Sequence, residues 1–128
     1  MILDTCFLID LLKNNKDAVA KAQVLDETDT PSFATTVTVF ELWQGVHDAS
    51  EEERERVLTL LSSVGIHVLD FEGAKQAGEI FDILRREGQK IEPEDCLIAG
   101  IARSHNEPVL TRNVKHFSLV KNMRYETY

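Results

Sequence analysis

The sequence predicts an α/β fold with a parallel sheet covered by helices on both faces. Short apolar runs, typical of buried strands, alternate along the chain with segments in which apolar residues recur at helical spacing. This alternation is typical of parallel sheets with right-handed crossover helices. The 128 residues correspond to one ordinary domain, residues 1–128, and 43% of them are hydrophobic. A chain of this size can bury a core without disulfides or a structural metal.

The beginning of the chain predicts a strand followed by two helices. Residues 1–3 form a short apolar run that stops at Asp4, as expected of a buried strand. Apolar residues then follow a helical spacing until Asn14 and Asn15 end the helix; they are Phe7, Leu8, Leu11 and Leu12. A second helix, capped by Asp17, is expected to reach about Asp26.

The middle of the chain predicts one strand and two helices. The strand comprises Phe33 and Ala34, shortly after Pro31. A helix over residues 36–47 carries four apolar side chains on one side, namely Val39, Phe40, Trp43 and Val46. Ser50 and Glu53 have the spacing of a capping box. The helix that they open is expected to bury Val57, Leu58 and Leu61.

The remainder predicts three strands and two helices. A third strand covers residues 66–69. A long amphipathic helix that ends near Gly88 is expected to turn four residues to the core, namely Ala74, Ala77, Phe81 and Leu84. Pro93 opens the next helix, whose expected inward residues are Leu97, Ile98, Ile101 and Ala102. Val109 and Leu110 form a fourth strand, and residues 123–128 form a fifth.

Composition and charge exclude several classes of protein. No apolar run reaches the ~18 residues of a membrane span, and Asp4 follows the start without any basic segment, unlike a secretory leader. We therefore expect a cytoplasmic protein in which Cys6 and Cys96 are buried, unpaired thiols. The net charge of −8 opposes non-specific binding to a phosphate backbone. It does not oppose an enzyme that meets one phosphate through a bound cation.

Four polar residues follow or flank the predicted strands. Asp4 comes directly after the first strand, and Glu41 interrupts an apolar stretch in the helix after the second. Asp95 lies in the first turn of the helix opened by Pro93, and Asn113 follows the fourth strand. Because sites in parallel sheets lie beyond the carboxyl ends of the strands, all four side chains can converge at one edge.

Each of these residues also has a simpler interpretation when taken alone. Asp4 could cap a helix, and Asp95 could stabilise a helix dipole. Glu41 could point to solvent, and Asn113 could be an ordinary turn residue. Their shared position at one end of a parallel sheet favours a common site.

A cluster of carboxylates indicates a cation. Two carboxylates ~4 Å apart repel each other by about 4 kcal/mol at an effective dielectric constant near 20. A cation between them removes this cost, and a set of oxygen ligands suits Mg²⁺ or Mn²⁺. A cation held in this way can activate water and neutralise charge on a phosphoryl oxygen, so phosphodiester hydrolysis is the expected chemistry.

Four segments of the chain resemble, in order, the four motifs of the PIN-domain family. Residues 2–5 resemble the opening motif, and residues 36–45 resemble the second, with Glu41 followed one turn later by a glycine. Residues 91–99 resemble the third motif, in which an Asp heads a helix, and residues 110–117 resemble the fourth. The match covers essentially the whole chain, and this one-domain form is similar to the VapC toxins of VapBC toxin–antitoxin pairs.

The resemblance implies a three-layer α/β/α sandwich with a mostly parallel central sheet of four to five strands. It implies Mg²⁺- or Mn²⁺-dependent endonucleolytic cleavage of RNA, with Asp4, Glu41 and Asp95 as metal-binding acids. Asn113 completes the catalytic set, but the family often carries Asp there, so a second metal site would be weaker. Three further residues are candidates for orienting water or substrate, namely Thr5, Thr111 and Arg112. Arg112, Lys115 and His116 are candidates for contacts with RNA phosphates, with a solvated loop as the alternative.

The resemblance also implies partners: an RNA substrate, a second copy of the chain in a homodimer, and a VapB-like antitoxin. The antitoxin would occupy the site and lie against helices near the N-terminus, through Phe7, Leu11 and Trp43. The alternative is a catalytically degraded PIN fold that only binds RNA or a protein, which Asn113 leaves open.

Three other classes fail on specific residues. A phospho-acceptor receiver domain needs two adjacent acids after the first strand and a Lys after the last, whereas Asp4 stands alone and no Lys ends the fourth strand. An Asp-x-Asp phosphatase fails because Cys6 replaces the second Asp. Dinucleotide binding fails because no glycine-rich turn follows the first strand.

Overall fold

The computed structural model describes residues 1–128 and contains five strands and seven helices. The strands are β1 (Ile2–Leu3), β2 (Phe33–Thr35), β3 (Gly65–His67), β4 (Val109–Leu110) and β5 (Tyr125–Glu126). The helices are α1 (Thr5–Leu12), α2 (Lys16–Glu27), α3 (Thr36–Trp43), α4 (Glu51–Ser62), α5 (Phe71–Arg86), α6 (Pro93–Ser104) and α7 (Val114–Phe117). None of these helices is both long and apolar enough to cross a membrane.

The five strands form one parallel sheet in the order β3-β2-β1-β4-β5. From β1 the chain extends the sheet first towards β3, and later on the other side of β1 towards β5. The junction of β1 and β4, where Leu3 pairs with Leu110, is therefore the topological switch point. Sites in open α/β sheets lie at such a junction, beyond the carboxyl ends of the strands.

Successive residues of each strand point to opposite faces of the sheet, and each face has its own core. Ile2 and Val109 belong to a core shared with α5, α6 and α7. Leu3 and Leu110 belong to the opposite core, shared with α1 and α2. Two helical layers thus enclose the sheet, which confirms the predicted three-layer α/β/α sandwich.

Helices α5 and α6 pack unusually close together. A Cβ atom added at Gly100 would lie 2.4 Å from the Gly73 carbonyl oxygen and 2.6 Å from the Ala77 backbone nitrogen. Only a glycine at position 100 leaves room for this approach. The contact fixes α6, and with it Asp95 in its first turn, relative to the rest of the layer.

The predicted inner faces of two helices were partly wrong. Helix α5 buries Gly73, Ala77, Ile80 and Leu84, while Ala74 and Phe81 are exposed. The close contact with α6 selects the line through the small residues instead of the line through Phe81. Helix α4 has no fully buried residue and Leu58 is 50% exposed, because this helix covers only the margin of the core.

Three element boundaries also differ from expectation. Helix α3 ends at Trp43 instead of near His47, and it buries Val37 and Thr38 while Phe40 is 56% exposed. Helix α2 is capped by Asn15, whose side chain accepts hydrogen bonds from the backbone of Asp17 and Ala18, so Asp17 is not the cap. Strand β3 covers Gly65–His67, one residue earlier than predicted and shorter.

Candidate active site

Asp4 lies at the switch point of the sheet and is only 3% exposed. It caps α1, because its Oδ1 accepts a hydrogen bond from the backbone nitrogen of Thr5 at 2.8 Å. Its Oδ2 accepts from the Thr111 hydroxyl at 2.6 Å and from the Cys6 thiol at 3.0 Å. The cap interpretation is therefore correct but incomplete, since the second oxygen is held by groups from α1 and from beyond β4. All three donors are uncharged.

Glu41 reaches the same place from α3. Its Oε1 accepts a hydrogen bond from the Thr5 hydroxyl at 2.7 Å, so Thr5 bonds Asp4 with its backbone and Glu41 with its side chain. Burial raises the pKa of Glu41 and the Thr5 hydrogen bond partly opposes this, while the carboxylates of Asp4 and Asp95 raise it further. The ionisation of Glu41 therefore depends on the charges of both other acids.

Asp95 approaches from the first turn of α6. Its Oδ2 accepts hydrogen bonds from Asn113 Nδ2 at 2.9 Å and from His116 Nδ1 at 2.5 Å. Burial raises the pKa of Asp95, the His116 hydrogen bond lowers it, and the charge of Asp4 raises it again. A shared electrostatic effect thus connects the three acids, which are Asp4, Glu41 and Asp95.

The segment after β4 connects two of the acids. Thr111 is fully buried; its hydroxyl donates to Asp4 Oδ2 and accepts from the backbone nitrogen of Asn113 at 2.9 Å. Asn113 and His116 then donate to Asp95. Residues 111–116 therefore set the orientation of both Asp4 and Asp95.

The structure brings together all but one of the residues selected from the sequence. Arg112 is the exception: its guanidinium lies 3.2 Å from Asp10 and 4.9 Å from the centre of the Tyr128 ring, with no contact to the three acids. His116 was expected at most to contact RNA phosphates, and its contact with Asp95 was not expected, because the four histidines show no ligand spacing. Its position one helical turn after Asn113 was the available signal.

The two cysteines are unpaired, as predicted, but only one of them is fully buried. Cys6 and Cys96 are both unpaired, and Cys96 is buried whereas Cys6 is half-buried beside Asp4. Burial raises the pKa of Cys96 to about 11, with a further contribution from the Asp95 charge. Burial and the charge of Asp4 also raise the pKa of Cys6, so neither thiol is a ready nucleophile at neutral pH.

The chemistry of these groups fits a hard divalent cation. Neither Asp4 nor Glu41 forms an ion pair with a Lys, Arg or His side chain. No three acid, His or Cys side chains are grouped closely enough to hold an ion by themselves, so water would have to supply further ligands. Carboxylate oxygens with water in the remaining positions are the usual surroundings of Mg²⁺.

Comparison with protein families gives one match over nearly the whole chain. The family model for the PIN domain matches residues 1–122. The tRNA(fMet)-specific endonuclease VapC of Shigella flexneri is 30% identical, over 99% of this chain and 96% of the relative. Ribonuclease VapC3 of Methanocaldococcus jannaschii is also 30% identical, over 78% of this chain and 95% of the relative.

Solved structures agree in fold. A chain of the DNA-bound VapBC structure from Salmonella typhimurium superposes with a TM-score of 0.88 and 26% identity, covering 98% of this chain and 96% of that one. A chain of the VapBC2 structure from Rickettsia felis, bound to a promoter DNA fragment, gives a TM-score of 0.89 at 22% identity, covering 99% and 97%.

Proposed function

The chain belongs to the PIN-domain family, and from this premise we propose that it is a metal-dependent endoribonuclease, the toxin of a type II toxin–antitoxin pair. The proposal treats residues 1–128 as one PIN-like domain. Relatives named as a tRNA(fMet)-specific endonuclease and as a ribonuclease support hydrolysis of RNA phosphodiester bonds.

One observation carries the proposal: three carboxylates from three different elements lie near the switch point of a parallel sheet, close enough to affect one another's ionisation. Asp4 follows β1, Glu41 lies on α3 and Asp95 begins α6, yet Asp4 and Asp95 both act on the ionisation of Glu41. Such mutual repulsion is costly unless a cation relieves it. No lysine or arginine side chain pairs with any of the three acids, which favours a site for an external metal ion.

Asp4, Glu41 and Asp95 would hold Mg²⁺ or Mn²⁺, and Asn113 would complete the catalytic set. The bound cation supplies a lowered pKa for water and charge neutralisation on the phosphoryl group. The Thr5 hydroxyl holds Glu41 Oε1, which leaves Oε2 to orient the attacking water. Thr111 keeps Asp4 in place. The chain needs no nucleophilic side chain for this reaction.

The test is cleavage of a structured RNA pool by the purified protein, with Mn²⁺ or with EDTA, by wild type and by Asp95→Asn. The exposed Asp48→Asn is the matched control, because it removes the same charge away from the site. We expect cleavage by wild type and Asp48→Asn only with Mn²⁺, and none by Asp95→Asn.

Full activity of Asp95→Asn would overturn the assignment of this residue. Mn²⁺ binding without turnover of any RNA would instead favour the alternative, a PIN fold that only binds RNA or a protein. Neither result could be confused with misfolding if circular dichroism shows the same helix content for all three proteins.

An antitoxin partner is proposed on the strength of the VapBC complexes among the structural relatives. Phe7 is fully buried and unavailable for this contact, which corrects the expectation from the sequence. Leu11 instead lines a groove of about 480 Å³ between α1 and α4, together with Leu12 and Leu60. Trp43 is 39% exposed and remains available.

A homodimer is also proposed, and an exposed apolar segment supports it. Val68 is 61% exposed and Phe71 is 84% exposed; both follow β3, the strand at one edge of the sheet. Exposed apolar patches often mark a surface that another protein covers.

A further inference from the structure

We propose that His116 is a positioning residue: together with Asn113 it holds one carboxylate oxygen of Asp95, so that the other oxygen faces the divalent cation. The inference rests on the proposed function, since it concerns how the chain prepares one of the three acids. It assigns His116 a structural task at the site, different from contact with RNA phosphates.

The hydrogen bonds of Asp95 are all on one side. Asn113 Nδ2 and His116 Nδ1 both donate to Oδ2, at 2.9 and 2.5 Å, and the two nitrogens are 2.8 Å apart. No side chain donates to Oδ1. Two donors on one oxygen fix the rotation of the carboxylate, because turning it would break both hydrogen bonds at once.

His116 is itself held in place by its neighbours. It lies on α7, a single helical turn, and the next residue, Phe117, is fully buried in the core beneath α6. The helix begins after Asn113, whose backbone nitrogen is bonded to the buried Thr111 hydroxyl. The imidazole is 22% exposed and the Asp95 side chain 14% exposed, so water competes little for this contact.

The arrangement matches a known way of preparing metal sites. Groups that donate to a ligating carboxylate or histidine fix the ligand's orientation, and their removal typically costs about 10–100-fold in metal affinity or activity. Hydrogen bonds to a charged acceptor are also roughly twice as strong as neutral ones. The His116 side chain forms hydrogen bonds only with Asp95 and Asn113, and these contacts support a role in orienting Asp95.

The test compares three substitutions at position 116 by Mn²⁺ titration calorimetry and by RNA cleavage at a fixed pH. In His116→Asn, the amide nitrogen can donate from about the place of Nδ1; in His116→Gln the donor is displaced, and in His116→Leu it is absent. We expect Mn²⁺ affinity to fall about 10–100-fold in His116→Leu and His116→Gln, and to recover to within a few-fold of wild type in His116→Asn.

Cleavage should follow the same order through the Mn²⁺ concentration at half-maximal rate, while the KM for RNA at saturating Mn²⁺ stays unchanged. His47→Leu is the matched control, because His47 is exposed and its side chain makes no contact with the site. If His116→Leu does not fold, the difference in Mn²⁺ affinity between His116→Asn and His116→Gln still tests whether a donor at the place of Nδ1 is needed.

Two outcomes would overturn the inference. Unchanged Mn²⁺ affinity in His116→Leu would show that Asp95 needs no help from the imidazole. Equal defects in folded His116→Asn and His116→Leu would show that His116 acts through Nε2, as a ligand or by contact with RNA. If wild type itself binds no Mn²⁺, the proposed function fails as well, and this result is distinguished by the wild-type titration alone.

Discussion

At the residue scale, two acids of the site, Asp4 and Glu41, are held by neutral donors. Asp4 is held by the backbone of Thr5, the hydroxyl of Thr111 and the thiol of Cys6. Such hydrogen bonds stabilise a carboxylate and fix its direction without cancelling its charge. A lysine or arginine in the same place would have competed with a metal ion for the oxygens.

Because Glu41 is repelled by the carboxylates of Asp4 and Asp95, we predict that it lowers the stability of the metal-free protein. Its pKa is raised from 4.5 in the folded state, so the native chain binds more protons than the unfolded chain between the two pKa values. Stability therefore falls as pH rises through this range. In EDTA at pH 7, Glu41→Gln should unfold at a higher temperature than wild type, and the difference should vanish below pH 4.5.

Adding Mn²⁺ should raise the unfolding temperature of wild type above that of Glu41→Gln, because only a native state with a complete site gains stability from the ion. Thermal unfolding followed by circular dichroism, with and without Mn²⁺, measures both effects. Glu55→Gln serves as the control on an exposed position of α4. A metal-free Glu41→Gln that melts below wild type at pH 7 would contradict the account.

The residues of the site were predictable from the sequence to the extent that strand ends reveal them. Asp4 and Thr111 directly follow strands, and Asp95 is placed by the proline that opens α6. Their hydrogen-bond partners were less predictable. The contact between His116 and Asp95 joins positions 21 apart in sequence, and the only sign of it is that His116 lies one helical turn after Asn113.

At the element scale, the close contact of α5 and α6 determines where Asp95 lies. The contact depends on Gly100, where any side chain would meet the backbone of α5 at Gly73 and Ala77. Backbone atoms cannot rotate away as a side chain can. Periodicity alone selected Ala74 and Phe81 for the inner face of α5, because apolar residues flank the true contact line and glycine carries no hydropathy signal.

We therefore predict that Gly100→Ala lowers the free energy of unfolding by about 1–3 kcal/mol, as overpacking usually does. Gly78→Ala is the matched control: it lies on exposed α5 surface with no atom within 4 Å of the added Cβ. It should raise stability by about 0.5–1 kcal/mol through helix propensity. Urea unfolding measures both, and equal stabilities for the two variants would rule out the packing argument.

At the scale of the whole molecule, the sequence predicted the α/β/α architecture because strands and helices alternate regularly. It did not predict which faces remain uncovered. Helical periodicity placed Phe40 on the apolar side of its helix and assigned nothing to Phe71, and both side chains are more than half exposed in the structure. Periodicity cannot separate an apolar face that meets the core from one that meets another protein.

The exposed segment after β3 predicts the effect of Phe71→Glu on assembly. If two copies of the chain meet there, a buried glutamate would oppose association. Light scattering should then give the mass of the 14.5 kDa monomer for the variant at concentrations where wild type is a dimer. Val24→Glu, which alters a 48%-exposed position on α2, should leave the dimer intact. A wild type that is monomeric throughout would refute the homodimer.

The three acids of the site also affect the order in which the divalent ion and the RNA bind. A chain with a net charge of −8, with three carboxylates near one end of the sheet, repels a polyanion during diffusional approach. A cation seated among Asp4, Glu41 and Asp95 reduces that repulsion at the place where the strand must arrive. Divalent ion concentration should therefore govern the association rate constant for RNA as well as turnover, and the encounter becomes an ordered one in which the ion arrives first.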